Sequence, residues 1–456
     1  MVINDIPGHQ KDPGGEAALI PNANVALPSP PTDRTPPTRD AWEPQQHLTR
    51  TTVLLLVVAS FGGGMAMVVP MAFTLALKLN QLASGREEFL GYILGAGSLC
   101  ALLAAPLTGI LSDRTRSRWG RRRPYAVIGA AVGLAAAPLM AFAPNIPVLG
   151  FGWVLSTVGW GTVVGSIGNF QADNLPAAQR GSVSGLTGLT MQVAPVIGIM
   201  LVGTVTASAL WVFLLPAGVG TLLIAAFVIF APEKDSRGQR FASPLSAGTV
   251  FRSFGFNPRK HPSFAWVWAG RFLFFLGLSL TTSFATFFYA QRLEIDVADV
   301  TTVIAVIAGA SIVSATVGAI GGGWLSDHMA RRKPFIMLGT LLFAVGALVS
   351  AFSYDLALLL IGSFISSTGI AVFTSVGQAL ILDVLPHGNT QVGRFMAITS
   401  FSQKIPSALA PLLAPVLFSI SASGNDKNYT VLFLAAGVLA VSGGLLTVLR
   451  VRKEGA

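Results

Sequence analysis

The chain has 456 residues, of which 52% are hydrophobic and only 11% are charged, and its formal net charge is +10. Soluble domains carry about 25% charged residues, so most of the surface of this chain must face something other than water. The cations do not indicate a nucleic-acid-binding domain, because they occur in short clusters between long apolar runs, the pattern that orients a membrane protein. The single cysteine, Cys100, excludes a disulfide framework and a Cys-based zinc site.

The first 50 residues are rich in Pro, Gly, Asn and Asp and contain no apolar run long enough for a signal-peptide core. A segment of this composition cannot bury enough apolar surface to fold by itself. We therefore expect residues 1–50 to form a disordered cytoplasmic tail, and a regulatory or docking role for it stays open.

Twelve apolar stretches follow, each long enough to cross a bilayer as a helix, which takes about 20 apolar residues. A polar linker, predicted at 232–263, separates six stretches within 51–231 from six within 264–450, and residues 451–456 form a short tail. The sequence thus predicts an all-α membrane protein with twelve transmembrane helices in two six-helix bundles. The predicted spans are 52–78, 89–111, 124–143, 147–171, 182–204, 209–231, 264–290, 298–325, 335–353, 356–382, 394–421 and 429–450.

The distribution of Lys and Arg predicts the orientation. Cations crowd the loops after the second and eighth stretches, the linker and the C-terminal end, whereas the loops on the other side hold only Lys78, Arg86, Arg292 and Lys427. Because cytoplasmic loops carry the excess of Lys and Arg, we expect both termini to be cytoplasmic and the protein to lie in the plasma membrane.

The two halves repeat one another in sequence. Pro124 and Asp173 recur as Pro334 and Asp383 after the same interval, and each half has a basic loop after its second helix and an Asp-x-x-Pro turn after its fourth. Parallel six-helix halves with a substrate site between them near mid-membrane are an established transporter architecture.

The most specific feature is a loop that occurs twice, from Gly109 to Pro124 and from Gly323 to Pro334, each beginning Gly-x-Leu-Ser-Asp. The glycines allow close backbone approach at a helix end. The aspartates, Asp113 and Asp327, lie at the membrane edge, where a carboxylate needs a cation or a helix N-terminus. The remaining candidate residues of the two loops are Arg114, Gly120, Arg121, Arg331 and Arg332.

These loops resemble the loop signature of the major facilitator superfamily, and the resemblance extends over residues 51–450. It implies that each loop Asp latches the two halves together on the cytoplasmic face in the outward-open state. The expected pairs are Asp113 with Arg394 and Asp327 with Arg180. The alternative is that these charges only set topology. Asp173 and Asp383 either join the same network or cap helix ends.

Within the superfamily, residues 113–125 most resemble the glycoside–pentoside–hexuronide symporters and the sucrose-transporter group. This resemblance implies a proton-coupled carrier of a sugar or related polar solute. Those symporters use carboxylates inside the N-terminal helices, yet helix 1 and the interiors of helices 2 and 4 contain none here. A drug or metabolite exporter is the alternative, since Ala194-Pro195-Val196-Ile197-Gly198 partly matches an exporter motif, and a membrane enzyme or sensor is a weaker one.

Two cations fall within predicted spans, Arg271 and Lys404. Such a group costs at least about 2.5–3.5 kcal/mol on insertion scales and normally faces a polar cavity. Lys404 is predicted either to bind an anionic or hydroxyl-rich substrate or to take part in proton coupling. Arg271 either contacts substrate or snorkels to the surface. The other predicted substrate contacts are Asn169, Gln192, Gln378, Trp160 and Phe275.

The sequence does not favour an enzyme, a metal site or a bound cofactor. All five histidines lie in tails or predicted cytoplasmic loops without metal-binding spacing, and no nucleophile elbow or Gly-rich phosphate loop is present. We therefore expect a monomer whose partners are the bilayer and a small-molecule substrate, with no nucleic acid.

Overall fold

The computed structural model describes residues 48–233, 235–237, 257–329, 331–384, 392–418 and 427–451, without the side chains of residues 177, 178, 180, 392–394 and 397. These residues belong to one compact unit, His47–Ala456. The predicted disordered tail, except for its last residues, and most of the predicted linker lie outside the described residues, so both stay predictions.

Twelve long helical segments account for nearly all of the described chain. Two of them are interrupted: α1 contains a π-helical turn at Pro70–Thr74, and α7 breaks at Phe284 into α7a and α7b. The helices are α1 Arg50–Leu82, α2 Glu88–Asp113, α3 Arg123–Ala141, α4 Ile146–Asn174, α5 Ala177–Gly203, α6 Ala209–Phe230, α7a Pro262–Ser283, α7b Ala285–Leu293, α8 Val300–His328, α9 Arg332–Ala351, α10 Leu356–Asp383, α11 Val392–Phe418 and α12 Tyr429–Arg450.

Eleven of these helices are long and apolar enough to cross a membrane. The remaining one, α11, is 27 residues long but contains Lys404 and three prolines. The predicted all-helical architecture is confirmed, and the helix ends differ from the predicted spans by only a few residues. Polar side chains cap the start of several helices. Asn145 and Asp355 occupy equivalent places in the two halves, and each accepts a backbone N–H of the helix that follows.

Glycines let the helices of each half pack closely in the same way. A Cβ on Gly159 of α4 would lie 2.8 Å from the carbonyl oxygen of Gly129 in α3, and a Cβ on Gly369 of α10 would lie 2.6 Å from that of Gly339 in α9. Neither space accepts a side chain. Small residues at helix contacts are the usual means of close packing in membranes. Here the same close contact occurs in both halves, at positions that the sequence repeats.

The two halves contact each other near one end of the helices, which we call the opposite face; it carries the loop at residues 83–87 and also residues 427–428. The Tyr429 hydroxyl donates a hydrogen bond to Glu87, and the Lys427 ammonium lies 3.0 Å from the Glu88 carboxylate. Nearby, a Cβ on Gly91 of α2 would overlap the backbone of α11. The halves are therefore closed against each other on this face.

The other end carries the loops after α2 and α8, and we call it the basic face. Gly161, Gly165, Gly185 and Gly188, which line the space between the halves toward this face, have nothing within 4 Å of a built Cβ. Gly109 has nothing within 4 Å either. The close approach predicted there is thus not made in this conformation, because the halves stand apart on the basic face.

We predict that replacing Tyr429 by Phe together with Lys427 by Gln opens the opposite face. The two changes remove the side-chain bonds to Glu87 and Glu88, each worth about 0.5–1.5 kcal/mol, so the conformational equilibrium should shift by roughly tenfold. In a Cys100→Ser background, spin labels at Phe142 and Phe352, which are 67% and 57% exposed on that face, should gain a population at longer distance.

The matched control is Tyr92→Phe, because Tyr92 is on α2 close to the same face and its ring contacts Phe89 of the same half. It should leave the label distance unchanged. An unchanged distance in the double variant would contradict a closing role for these contacts.

Candidate functional site

The first basic loop holds a compact ion cluster built around Arg122. Its guanidinium lies 2.6 Å from Asp113 at the end of α2 and 2.9 Å from Asp173 at the end of α4, and it donates to the Ser112 hydroxyl at 3.0 Å. Arg121 adds a second contact to Asp173 at 2.7 Å. Three segments of the N-terminal half are thereby tied together at the basic face.

The second basic loop repeats this cluster around Arg332. Its guanidinium pairs with Asp327 at the end of α8, lies 3.3 Å from Asp383 at the end of α10, and donates to the Ser326 hydroxyl at 3.2 Å. Asp173 and Asp383 therefore belong to the charge network, the first of the two roles that the sequence left open. In both halves the arginine bridges two carboxylates of its own half.

Arg122 was missed by the sequence analysis, which singled out Arg121. The repeat could have identified Arg122, because Arg122 and Arg332 both stand two residues before the repeated proline of the loop. Arg122 is only 5% exposed. Burial disfavours its charged form, but the hydrogen bonds and charges of Asp173 and Asp113 outweigh burial and raise the pKa of Arg122.

The latch pairs predicted from the sequence cannot be read from this conformation. The side chains of Arg394 and Arg180 lie outside the described residues, so the pairs with Asp113 and Asp327 stay predictions. The side chains of the two aspartates are 57% and 65% exposed, so each still offers a carboxylate surface beyond its arginine. Of the other loop residues, Arg114 forms the C-cap of α2 and Arg331 the N-cap of α9.

The first basic loop is also held by the chain that follows α6, a contact the sequence did not predict. The Glu233 carboxylate accepts the backbone N–H groups of Arg122 at 2.8 Å and Arg123 at 3.1 Å, where α3 begins. Gly120 adopts φ +83°, and a Cβ there would overlap Glu233. Gly120 is thus required by both its backbone conformation and its neighbour.

Lys404 lines a cavity of about 440 Å³ between the two halves, which we call the Lys404 cavity. Its walls come from α1, α2 and α4 of the N-terminal half and from α11 of the C-terminal half. The polar groups on these walls are neutral apart from Lys404 itself. They are Ser98, Thr157, Thr162, Ser400, Gln403 and Ser407.

Gln192 lines a second cavity between the halves, of about 900 Å³, which we call the Gln192 cavity. It is formed by α1 and α5 of the N-terminal half and by α7, α8 and α10 of the C-terminal half. The repeat relates the helices of the two cavities, and it places Gln192 where the other half has Lys404. Gln192 follows Gly181 by the same 11 residues that separate Lys404 from Gly393, so the two residues take corresponding places on the two walls.

The other predicted substrate contacts lie away from both described cavities. Trp160 is 1% exposed and packs on Gly133 inside the N-terminal half. Phe275 is 3% exposed. The guanidinium carbon of Arg271 lies over its ring, 5.2 Å from the ring centroid. Asn169 and Gln378 are half-buried on α4 and α10. Substrate contact stays a prediction for all seven residues, of which Lys404 and Gln192 lie on the walls of the two cavities described here.

A family model described as Major Facilitator Superfamily matches residues 52–322 and 301–456. The chain belongs to the major facilitator superfamily. It is therefore a multi-pass membrane protein of a superfamily of transporters. The fold agrees: superposition on the nucleoside transporter NupG gives a TM-score of 0.69 at 12% identity, covering 87% of this chain and 98% of that one. For a D-xylose–proton symporter the TM-score is 0.66 at 14% identity, covering 88% and 97%.

Among curated proteins the similarity is local. The chain is 44% identical over 61 residues to the general alpha-glucoside permease of Schizosaccharomyces pombe (13% of this chain, 11% of that protein). It is 38% identical over 82 residues to the arabinose–proton symporter of Bacillus subtilis (17% and 18%). It is also 33% identical over 95 residues to the putative multidrug resistance protein MdtD of Pectobacterium atrosepticum (21% and 19%). The matched part is less than a fifth of each relative's length.

We predict that Gly120→Ala destabilises the protein, whereas Gly109→Ala does not. A left-handed backbone costs an L-residue about 1–2 kcal/mol, and the added methyl group at position 120 would also displace Glu233. Gly109 lies inside α2 with open space around it, so alanine should gain about 0.5–1 kcal/mol of helix stability there. Thermal unfolding in detergent measures both. Equal shifts for the two variants would contradict the role assigned to Gly120.

Proposed function

We propose that this transporter is a secondary active carrier that moves a sugar or related polar solute together with a proton, by alternating access between two six-helix bundles, residues 51–231 and 264–450. The observation that carries the proposal is the pair of hydroxyl-lined cavities between the halves, related by the repeat and marked by Lys404 and Gln192. Ligand sites of small solutes commonly have volumes of roughly 300–1,000 Å³, and both cavities fall in this range.

The proposed orientation places the basic face and both termini in the cytoplasm of a plasma-membrane protein. The support is the concentration of Lys and Arg in the loops of that face. In this orientation the described conformation is open to the cytoplasm and closed to the outside. We also propose that one chain suffices for transport, since the two cavities lie between the halves of a single chain.

The sugar proposal draws support from the local similarity to a glucoside permease and an arabinose–proton symporter. The second candidate, export of a drug or metabolite, draws support from the local similarity to a putative multidrug resistance protein. Direction of transport separates the two candidates.

The transport proposal predicts counterflow. Proteoliposomes loaded with millimolar unlabelled maltose, arabinose or xylose should take up the matching labelled sugar transiently above equilibrium, and an inward proton gradient should increase its accumulation. Empty liposomes and gradient collapse by an ionophore are the controls. Absence of counterflow with every sugar, combined with proton-driven efflux of a cationic dye, would favour the exporter instead.

The latch interpretation predicts that Asp113→Asn slows transport without preventing membrane insertion. The change weakens charge-assisted hydrogen bonds, each worth about 1.5–3 kcal/mol, and should lower the population of the state closed at the basic face by roughly tenfold. Counterflow rate and spin-label distances across that face measure it. Asp235→Asn is the matched control, because the partner of Asp235 among the described residues is its neighbour Arg237, in an exposed segment of the linker on the same side. Equal behaviour of the two variants would contradict the latch.

A further inference from the structure

The charged residues within the described helices are separated by depth according to sign. Every Asp and Glu of these helices lies within two residues of a helix end. Arg271 and Lys404 lie deeper, and Lys404 is near the middle of α11. The described membrane interior therefore carries positive charge that no carboxylate at the same depth compensates.

Lys404 shows this lack of compensation directly. Its side chain is exposed to the Lys404 cavity and makes no hydrogen bond or ion pair with any other described residue. The groups around it are hydroxyls and the Gln403 amide, which can donate hydrogen bonds to an anion but bring no negative charge of their own. Since the facing walls belong to the N-terminal half, a solute bound to Lys404 would contact both halves at once.

Arg271 is a second and independent case. It is 8% exposed, and its Nε and Nη1 atoms are buried without a hydrogen-bond partner among the described residues. Its guanidinium lies over the Phe275 ring, and Nη1 is 3.1 Å from the place a Cβ on Gly377 of α10 would take. An aromatic ring attracts a cation through its quadrupole but carries no net negative charge, so the charge of this buried guanidinium stays uncompensated among the described residues.

We propose that the solute of this transporter is an organic anion, whose carboxylate or phosphate pairs with Lys404 while Arg271 adds positive potential from the C-terminal half. The inference rests on the proposed transport function and narrows its substrate class. In a medium of low dielectric constant an unpaired cation attracts an anion strongly, whereas a neutral sugar would leave both cations uncompensated.

The difference between the two repeated cavities indicates how the solute is oriented between the halves. Gln192, the counterpart of Lys404, is neutral, and the walls of the Gln192 cavity carry hydroxyl and apolar groups without a charged side chain among the described residues. The charged end of the solute thus belongs on the α11 side, and a polar, uncharged remainder fits the α5 side.

The test uses matched pairs of solutes that differ in one charged group: D-gluconate and D-sorbitol, L-lactate and propane-1,2-diol, glycerol 3-phosphate and glycerol. Thermal unfolding of the purified protein reports binding, because a ligand of the folded state raises its apparent stability. Chloride at equal ionic strength controls for salt. The variants are Lys404→Gln, Lys404→Arg and Arg271→Gln, with Lys260→Gln as the control, because it removes an exposed cation that lines neither cavity.

At least one anion, and not its neutral partner, should raise the unfolding temperature of the wild-type protein. The apparent affinity should fall tenfold or more in Lys404→Gln and severalfold in Arg271→Gln, and it should be kept in Lys404→Arg and Lys260→Gln. Comparison of carboxylates with the phosphate identifies the anionic group. If the Arg271→Gln variant does not fold, the Lys404 variants alone test whether the bound solute is an anion.

Three results would overturn the inference: stabilisation by neutral partners as strong as by anions, no stabilisation by any anion, or an anion effect that Lys404→Gln leaves intact. Counterflow of a neutral sugar by the wild-type protein would overturn the anion inference and leave the transport proposal standing. Absence of counterflow with both the neutral and the anionic probes would count against transport itself.

Discussion

Arg122 and Arg332 each bridge two carboxylates where two helices of one half end, and the geometry of the basic face depends on these bridges. A carboxylate at the membrane edge is costly unless a cation neutralises it. Asp113 and Asp173 meet one guanidinium in the N-terminal half, as Asp327 and Asp383 do in the C-terminal half. Each half can therefore move as a unit without exposing an unpaired charge.

Rigid halves make the contacts between them the variable part of the structure. The described conformation holds the halves together at the opposite face, through Glu87 with Tyr429 and Glu88 with Lys427, and keeps them apart at the basic face. These two polar contacts lie beside close helix packing, in which Gly91 of α2 meets the backbone of α11. Polar contacts can be exchanged at low cost when one face opens and the other closes, which is what alternating access requires.

If Arg271 and Lys404 bind an anion, the membrane potential adds to the free energy needed to move that anion inward. Moving one negative charge inward against an inside-negative potential costs about 2.3 kcal/mol per 100 mV. An anion carried with one proton crosses without net charge, so an anionic solute and proton coupling are mutually consistent.

The fold could be predicted from the sequence because hydrophobic length and Lys/Arg placement act locally, and the repeat supplied a second copy of each observation. The repeat also relates Lys404 to Gln192, and each of these residues lines one of the two cavities. Trp160 and Phe275 show where such reasoning stops, since nothing in a helix sequence tells which face turns toward the other half. Glu233 could not be found either, because its contact with the start of α3 joins segments 110 residues apart.

The most direct test of the account is a distance across the basic face. Trp119 and Met329 are 51% and 49% exposed in or beside the two basic loops, and spin labels there, in a Cys100→Ser background, report the separation of the halves. When the contacts of Tyr429 and Lys427 are removed at the opposite face, this distance should shorten, because the halves rock as rigid bodies. A distance that stays constant while the opposite face opens would contradict the account.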